Sequence, residues 1–226
     1  METEDEALWA NLWKQVHIVS EWFPDGAVFI GGIAVYLHTM AARPVRARSP
    51  IPRAGDPWME FSHDADMYIG FTDLTDLRDL ENLTPNRRLS KTQFIKSGAE
   101  FDVYVERQHT LRVKYDDAVT NSTVIDHVRV ACLEHLLLLK IDAYNDRKGS
   151  AKGDKDQRDI VRIVHALQRS MHNKRFAGYA TYDDITALDV TSKSTELRAM
   201  AKTPRDAADL RKEFAEVISA MASEVA

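Results

Sequence analysis

The sequence predicts a mixed α/β (α+β) protein: a mixed central sheet flanked by helices, with a helical C-terminal region. Three observations predict it. Residues 27–30 form a short apolar run that ends in Gly31-Gly32 and leads into a helical segment, the pattern of strand, tight turn and helix. Residues 64–71 and 100–106 place apolar side chains at every second position, the period of a strand with one buried face. From residue 133 onward the apolar spacing becomes helical, with 3.6 residues per turn as the repeat. These patterns divide the chain into a core over residues 1–130 and a helical region over residues 131–226 that packs on it.

Leu8, Leu12, Val16 and Val19 recur at helical spacing, so residues 8–23 form an amphipathic helix that Pro24 stops. Asp25-Gly26 turns the chain into the strand 27–30, and the helix over residues 33–41 ends before Arg43-Pro44. Residues 43–57 hold four arginines (Arg43, Arg46, Arg48, Arg53) and four prolines (Pro44, Pro50, Pro52, Pro57). That composition excludes regular helix and central strand and predicts a long loop. In the strand 64–71, Ala65, Met67, Ile69 and Phe71 take one face, and Asp64, Asp66 and Tyr68 take the other. A short helix over residues 74–83 ends at Thr84-Pro85. Residues 92–96 and 100–106 form a hairpin around Ser97-Gly98, with Phe101, Val103 and Val105 inward and Asp102, Tyr104 and Glu106 outward. A strand is expected at 124–130, and helices at 133–147, 155–171, 183–188 and 204–225, with residues 148–153 as a polar loop.

The 226 residues are enough to bury a substantial core. Apolar residues at 44% and charged residues at 29% are ordinary for a globular chain. A net charge of −5 excludes a uniformly basic nucleic-acid binder but leaves room for local basic patches. Cys132 is the single cysteine, so no intramolecular disulfide is possible, and a reducing cytoplasm fits. The acidic start, Met1 to Glu6, lacks a secretory pattern, and the apolar run at Leu136 to Leu139 is far too short to span a bilayer. A cytoplasmic protein with no membrane contact is expected.

Three features carry chemistry. A diglycine turn opening a helix offers backbone N–H groups to a phosphate, although most such turns only relieve steric crowding. Asp64 and Asp66 point to the same side of their strand, a place where Asp is depleted. They are either a cap at the solvated strand start or a pair of ligands. Asp102 repeats the pattern in a second strand. Three carboxylates on one sheet face suit hard divalent cations, which take oxygen ligands. Walker-type loops, GxSxG elbows and HExxH patterns are absent from the sequence. His63-Asp64 heads a strand rather than lying on a helix with further histidines, and Cys132 with His135 has no second pair to complete a metal site. Trp9, Trp13, Trp22 and Trp58 are packing residues.

Gly31-Gly32, then Asp64-x-Asp66 opening a strand, then Asp102 in a later strand, resembles the DNA polymerase β-type nucleotidyltransferase superfamily. The segment from Val128 to Ala143, followed by Arg147, Lys155, Asp156 and Asp159, is similar to the branch that holds AbiEii-like toxins and related small nucleotidyltransferases. The resemblance runs over roughly residues 27–170 and rests on the order of short motifs. It implies that Gly31 and Gly32 hold a triphosphate, that Asp64 and Asp66 bind Mg²⁺, and that Asp102 completes the metal site and helps to activate an acceptor hydroxyl. It implies that Lys140 and Arg147 reach a phosphate. Asp156 and Asp159 would hold these cations or sit near the acceptor; a structural ion-pair network between two helices is the other reading of all these helix charges. Ile33 follows the diglycine where the family commonly has a hydroxyl or an arginine. The arginines of residues 43–57 would contact the phosphates of an RNA acceptor or cover a solvated loop.

The expected activity is therefore Mg²⁺-dependent transfer of a nucleoside monophosphate from an NTP to a hydroxyl of tRNA or protein, as the toxin-like member of a toxin–antitoxin or phage-defence pair with a cognate antitoxin. The alternatives are a non-catalytic antitoxin or regulatory partner of the same fold, and an antibiotic-modifying nucleotidyltransferase acting on a small molecule.

Overall fold

The computed structural model describes residues 3–43, 56–86, 91–108, 111–170 and 176–226. It separates into two compact units, Met1–Cys132 and Leu133–Ala226. Among the described residues no helix is long and apolar enough to cross a membrane.

The first unit begins with helix α1 (Glu4–Trp22). Thr3 and Glu6 form a reciprocal cap: the Glu6 N–H donates to Thr3 Oγ1 at 3.2 Å and the Thr3 N–H to Glu6 Oε2 at 2.8 Å. The acidic start of the chain is thus the first turn of a helix, where Glu4, Asp5 and Glu6 meet the positive end of the helix dipole. Strand β1 (Val28–Ile30) is fully buried and passes directly into α2 (Gly31–Ala42), so both glycines belong to the helix's first turn. Trp9 packs against Tyr36 of α2 with the rings tilted and their centroids 4.5 Å apart, and Trp13 meets the same ring edge-on at 5.5 Å. Burial pushes the Tyr36 hydroxyl far above the ordinary phenol range. Of residues 43–57, Arg46, Arg48, Arg53, Pro44, Pro50 and Pro52 lie outside the described residues; Arg43 pairs with Asp56 at 2.7 Å.

The sheet contains β2 (Asp64–Ile69), β3 (Thr84–Asn86), β4 (Lys91–Lys96), β5 (Ala99–Val105), β6 (Thr123–Ile125) and β7 (Val128–Val130) besides β1, in the order β3-β4-β5-β2-β1-β7-β6. The pairs β2/β5 and β1/β7 are parallel and the others antiparallel. On β2 and β5 the residues Ala65, Met67, Ile69, Phe101, Val103 and Val105 are all completely buried. Phe71 leaves this face: the strand ends at Ile69 and Phe71 is exposed. Between β2 and β3, helix α3 (Asp73–Leu80) stops earlier than expected, and Pro85 lies in β3, an edge strand of the sheet, the position to which strand prolines are largely confined. The expected strand 124–130 is a hairpin, β6 and β7, turning at Asp126 and His127, both at positive φ. A short helix α4 (Tyr115–Thr120) precedes it.

The second unit is helical: α5 (Leu133–Arg147), α6 (Ala151–Arg169), α7 (Tyr182–Ser192), α8 (Thr195–Met200) and α9 (Pro204–Val225). Its buried side chains include Leu136, Ile141, Ile160, Leu167, Leu188 and Phe214. Helix α6 starts four residues before the expected position because Ser150 caps it, accepting from the Gly153 N–H at 3.1 Å. His165 of α6 meets Glu213 of α9 at 2.8 Å.

Candidate active site

The first unit places Asp64 and Asp66 on β2, Asp102 on the neighbouring β5, and Gly31 and Gly32 at the start of α2, directly after β1 on the other side of β2. Ile30 is the register partner of Asp66 on the antiparallel side of β2, and Asp66 is the register partner of Asp102 on the parallel side. Asp64 precedes Asp66 on the same face and stands opposite Glu100. This register follows from the alternation of β2 and β5: aligning their apolar positions brings the carboxylates side by side.

Asp66 leans over the start of α2. Gly31 has φ +65°, and a Cβ there would lie 2.0 Å from Asp66 Oδ2. A Cβ at Gly32 would lie 2.5 Å from Ser62 Oγ. The diglycine is therefore required twice, for the left-handed turn and for close approach of two side chains from the β2 segment. Ser62 is buried and donates to the Asp64 carbonyl at 2.9 Å, which fixes the entry into β2. The first turn of α2 contains no acidic residue of its own, and the Asp66 carboxylate lies beside this positive end of the helix.

Asp102 is 2% exposed, and β4 holds it. Gln93 Nε2 donates to Asp102 Oδ1 at 2.5 Å, and Lys91 Nζ donates to Asp102 Oδ2. Lys91, Gln93 and Ser62 were not expected from sequence. The signal for Gln93 is the two-residue turn at Ser97-Gly98: once Lys96 pairs with Ala99, counting back puts Gln93 opposite Asp102.

The oxygen donors of Asp64 and Asp66 suit a hard divalent cation, and Asp66 lies against the start of α2. Both Asp102 oxygens are already engaged. Among the described residues no three His, Cys, Asp or Glu side chains gather closely enough to hold a metal ion between them.

Lys140 and Arg147 belong to the second unit, where they join an ion-pair network between α5 and α6. Lys140 Nζ lies 2.6 Å from Asp159 Oδ2 and 3.5 Å from Asp156 Oδ1. Arg147 lies 2.8 Å from Asp156, and Arg162 lies 2.7 Å from Asp159. Burial pushes the Asp156 carboxyl above its ordinary range, with Lys140 and Arg147 offsetting only part of it. Burial acts the same way on Asp159, but Lys140, Arg162 and Lys155 outweigh it and hold that carboxyl below its ordinary range.

Over 88% of this chain and 93% of the other, the structure matches an antigenic nucleotidyltransferase-like protein from Paracoccidioides brasiliensis with a TM-score of 0.53 and 18% identity. The fold is nucleotidyltransferase-like. JHP933 from Helicobacter pylori matches with a TM-score of 0.50 and 13% identity over 99% of this chain and 96% of that one. No protein-family model and no curated protein matches the chain. In this fold the sheet carries the carboxylate pair Asp66 and Asp102 beside the diglycine turn.

Proposed function

We propose that the chain is a Mg²⁺-dependent nucleotidyltransferase that moves a nucleoside monophosphate from an NTP to a hydroxyl acceptor. One observation carries the reading: on a nucleotidyltransferase-like fold, Asp66 lies against a diglycine helix start and stands in register with Asp102. Asp64 and Asp66 would hold Mg²⁺, which supplies charge neutralisation at the phosphates. The N–H groups at the start of α2 would bind phosphate oxygens, because that turn carries the positive end of the helix and no Cβ shields it. Asp102, fixed by Lys91 and Gln93, would stand on the acceptor side of Asp66. The acceptor oxygen bonds to the α-phosphorus, the bond to pyrophosphate breaks, and the hydroxyl proton leaves to a carboxylate or water. Positioning and charge stabilisation supply most of the acceleration in such a step. Within the second unit Arg147, its side chain 40% exposed, is better suited to a phosphate than Lys140, which would have to leave two carboxylates.

The AbiEii-like resemblance extends the reading to a cytoplasmic, toxin-like protein whose acceptor is tRNA or protein and which a cognate antitoxin restrains. The test is incubation with each α-³²P-labelled NTP, Mg²⁺ and bacterial RNA or protein extract. Label should enter an acceptor band, and Asp64→Asn or Asp66→Asn should reduce it by at least about a hundredfold without changing the circular dichroism. Labelling that survives both substitutions refutes the assignment.

A further inference from the structure

The third carboxylate of the site comes with its own cation. Gln93 stands opposite Asp102 across the β4/β5 hairpin, and Lys91, two residues earlier, shares its face. The Lys91 side chain is 11% exposed and that of Asp102 is 2% exposed. A carboxylate buried this deeply needs a counter-charge, and so does the ammonium that supplies it. The neighbouring strand adds Asp66 directly opposite Asp102 and Asp64 on the same face, an arrangement that like charges destabilise unless something compensates them.

We propose that, before nucleotide binds, Lys91 takes the place of a second metal ion and limits the site to one divalent cation, held by Asp64 and Asp66. This rests on the nucleotidyltransferase reading above. Charge and geometry argue for it together. Three carboxylates carry three negative charges, and Lys91 with one divalent ion carries three positive charges. A second divalent ion would raise the positive total to five against three in the absence of nucleotide. Both Asp102 oxygens also already accept hydrogen bonds, from Lys91 and Gln93. Lys91 is thus a positioning residue: it neutralises and orients Asp102 without touching the transferred group.

The experiment is a titration of the full chain with Mn²⁺ alone, followed by electron paramagnetic resonance. The wild type should bind one Mn²⁺ per chain, and Lys91→Met should bind two. Lys91→Arg, which keeps the charge, should stay at one. Asp102→Asn should still bind one Mn²⁺ per chain, more weakly than the wild type because Lys91 loses its counter-charge beside the site. Should Lys91→Met fail to fold, by tryptophan fluorescence, the Asp102→Asn stoichiometry decides. Two ions in the wild type, one ion in a folded Lys91→Met, or no ion in a folded Asp102→Asn overturns the proposal. If nucleotide transfer persists in that event, the nucleotidyltransferase reading stands; no Mn²⁺ bound and no transfer overturns both.

Discussion

At Gly31 two separate constraints meet, and they can be separated by experiment. The residue has φ +65°, which costs any L side chain, and a Cβ there would collide with Asp66 Oδ2. Gly149 has φ +78° with nothing within 4 Å of a built Cβ. Gly149→Ala therefore measures the backbone cost alone, about 1 kcal/mol, while Gly31→Ala adds displacement of a carboxylate and should cost about 3 kcal/mol. Urea denaturation of both variants checks this; equal losses would mean that Asp66 yields freely. That Gly31 opens a helix, and that Asp64 and Asp66 share a strand face while Asp102 repeats the pattern in a later strand, was legible in the sequence because an apolar run ending in two glycines and the period-two alternation record it. Ser62 was not: its place depends on how closely its side chain approaches Gly32, and nothing in its local sequence records that.

Elements read well where period and punctuation agreed. Helices α5 and α9 have the expected limits, and the hairpin β4/β5 turns where Ser97-Gly98 indicated, with φ of 48° and 84°. The hairpin β6/β7 gave no such signal, because Asp126 and His127 adopt positive φ without a glycine. The short α4 and α8 bury too few side chains to show a period. The α5–α6 network is where element-scale energetics concentrate. Asp159→Asn takes the nearer carboxylate from Lys140, leaving it the longer contact to Asp156, and removes the charge that Arg162 meets at 2.7 Å, so it should cost about 3 kcal/mol at neutral pH. Asp156→Asn should cost much less, since Lys140 keeps Asp159 and Arg147 can turn to water. Their pH dependences have opposite signs. The folded-state carboxyl of Asp159 is depressed, so its contribution is present above the ordinary carboxylate value and is lost as pH falls through the depressed one. That of Asp156 is raised, so its contribution is present below the ordinary value and is lost as pH rises through the raised one. Unfolding free energies from pH 2 to 8 for wild type and both variants check the signs; parallel curves would contradict them.

At the scale of the whole molecule, the two units carry different spectroscopic reporters. All four tryptophans, Trp9, Trp13, Trp22 and Trp58, lie in the first unit, and among the described residues every regular element of the second is a helix. Tryptophan fluorescence therefore follows the sheet-bearing unit, and ellipticity at 222 nm weights the helical one. Each unit buries its own apolar side chains: Phe29, Met67 and Phe101 in the first, Leu136, Ile160 and Phe214 in the second. Units with separate cores unfold as separate cooperative steps unless their interface is large and apolar. The expected outcome is two non-coincident urea transitions. Gly31→Ala should lower the fluorescence midpoint and leave the residual ellipticity transition in place. Asp159→Asn should do the reverse, because its partners Lys140 and Arg162 both lie in the second unit. Superimposable transitions that both variants shift together would show a single cooperative molecule, in which a change at the carboxylate site is felt by the α5–α6 network as well.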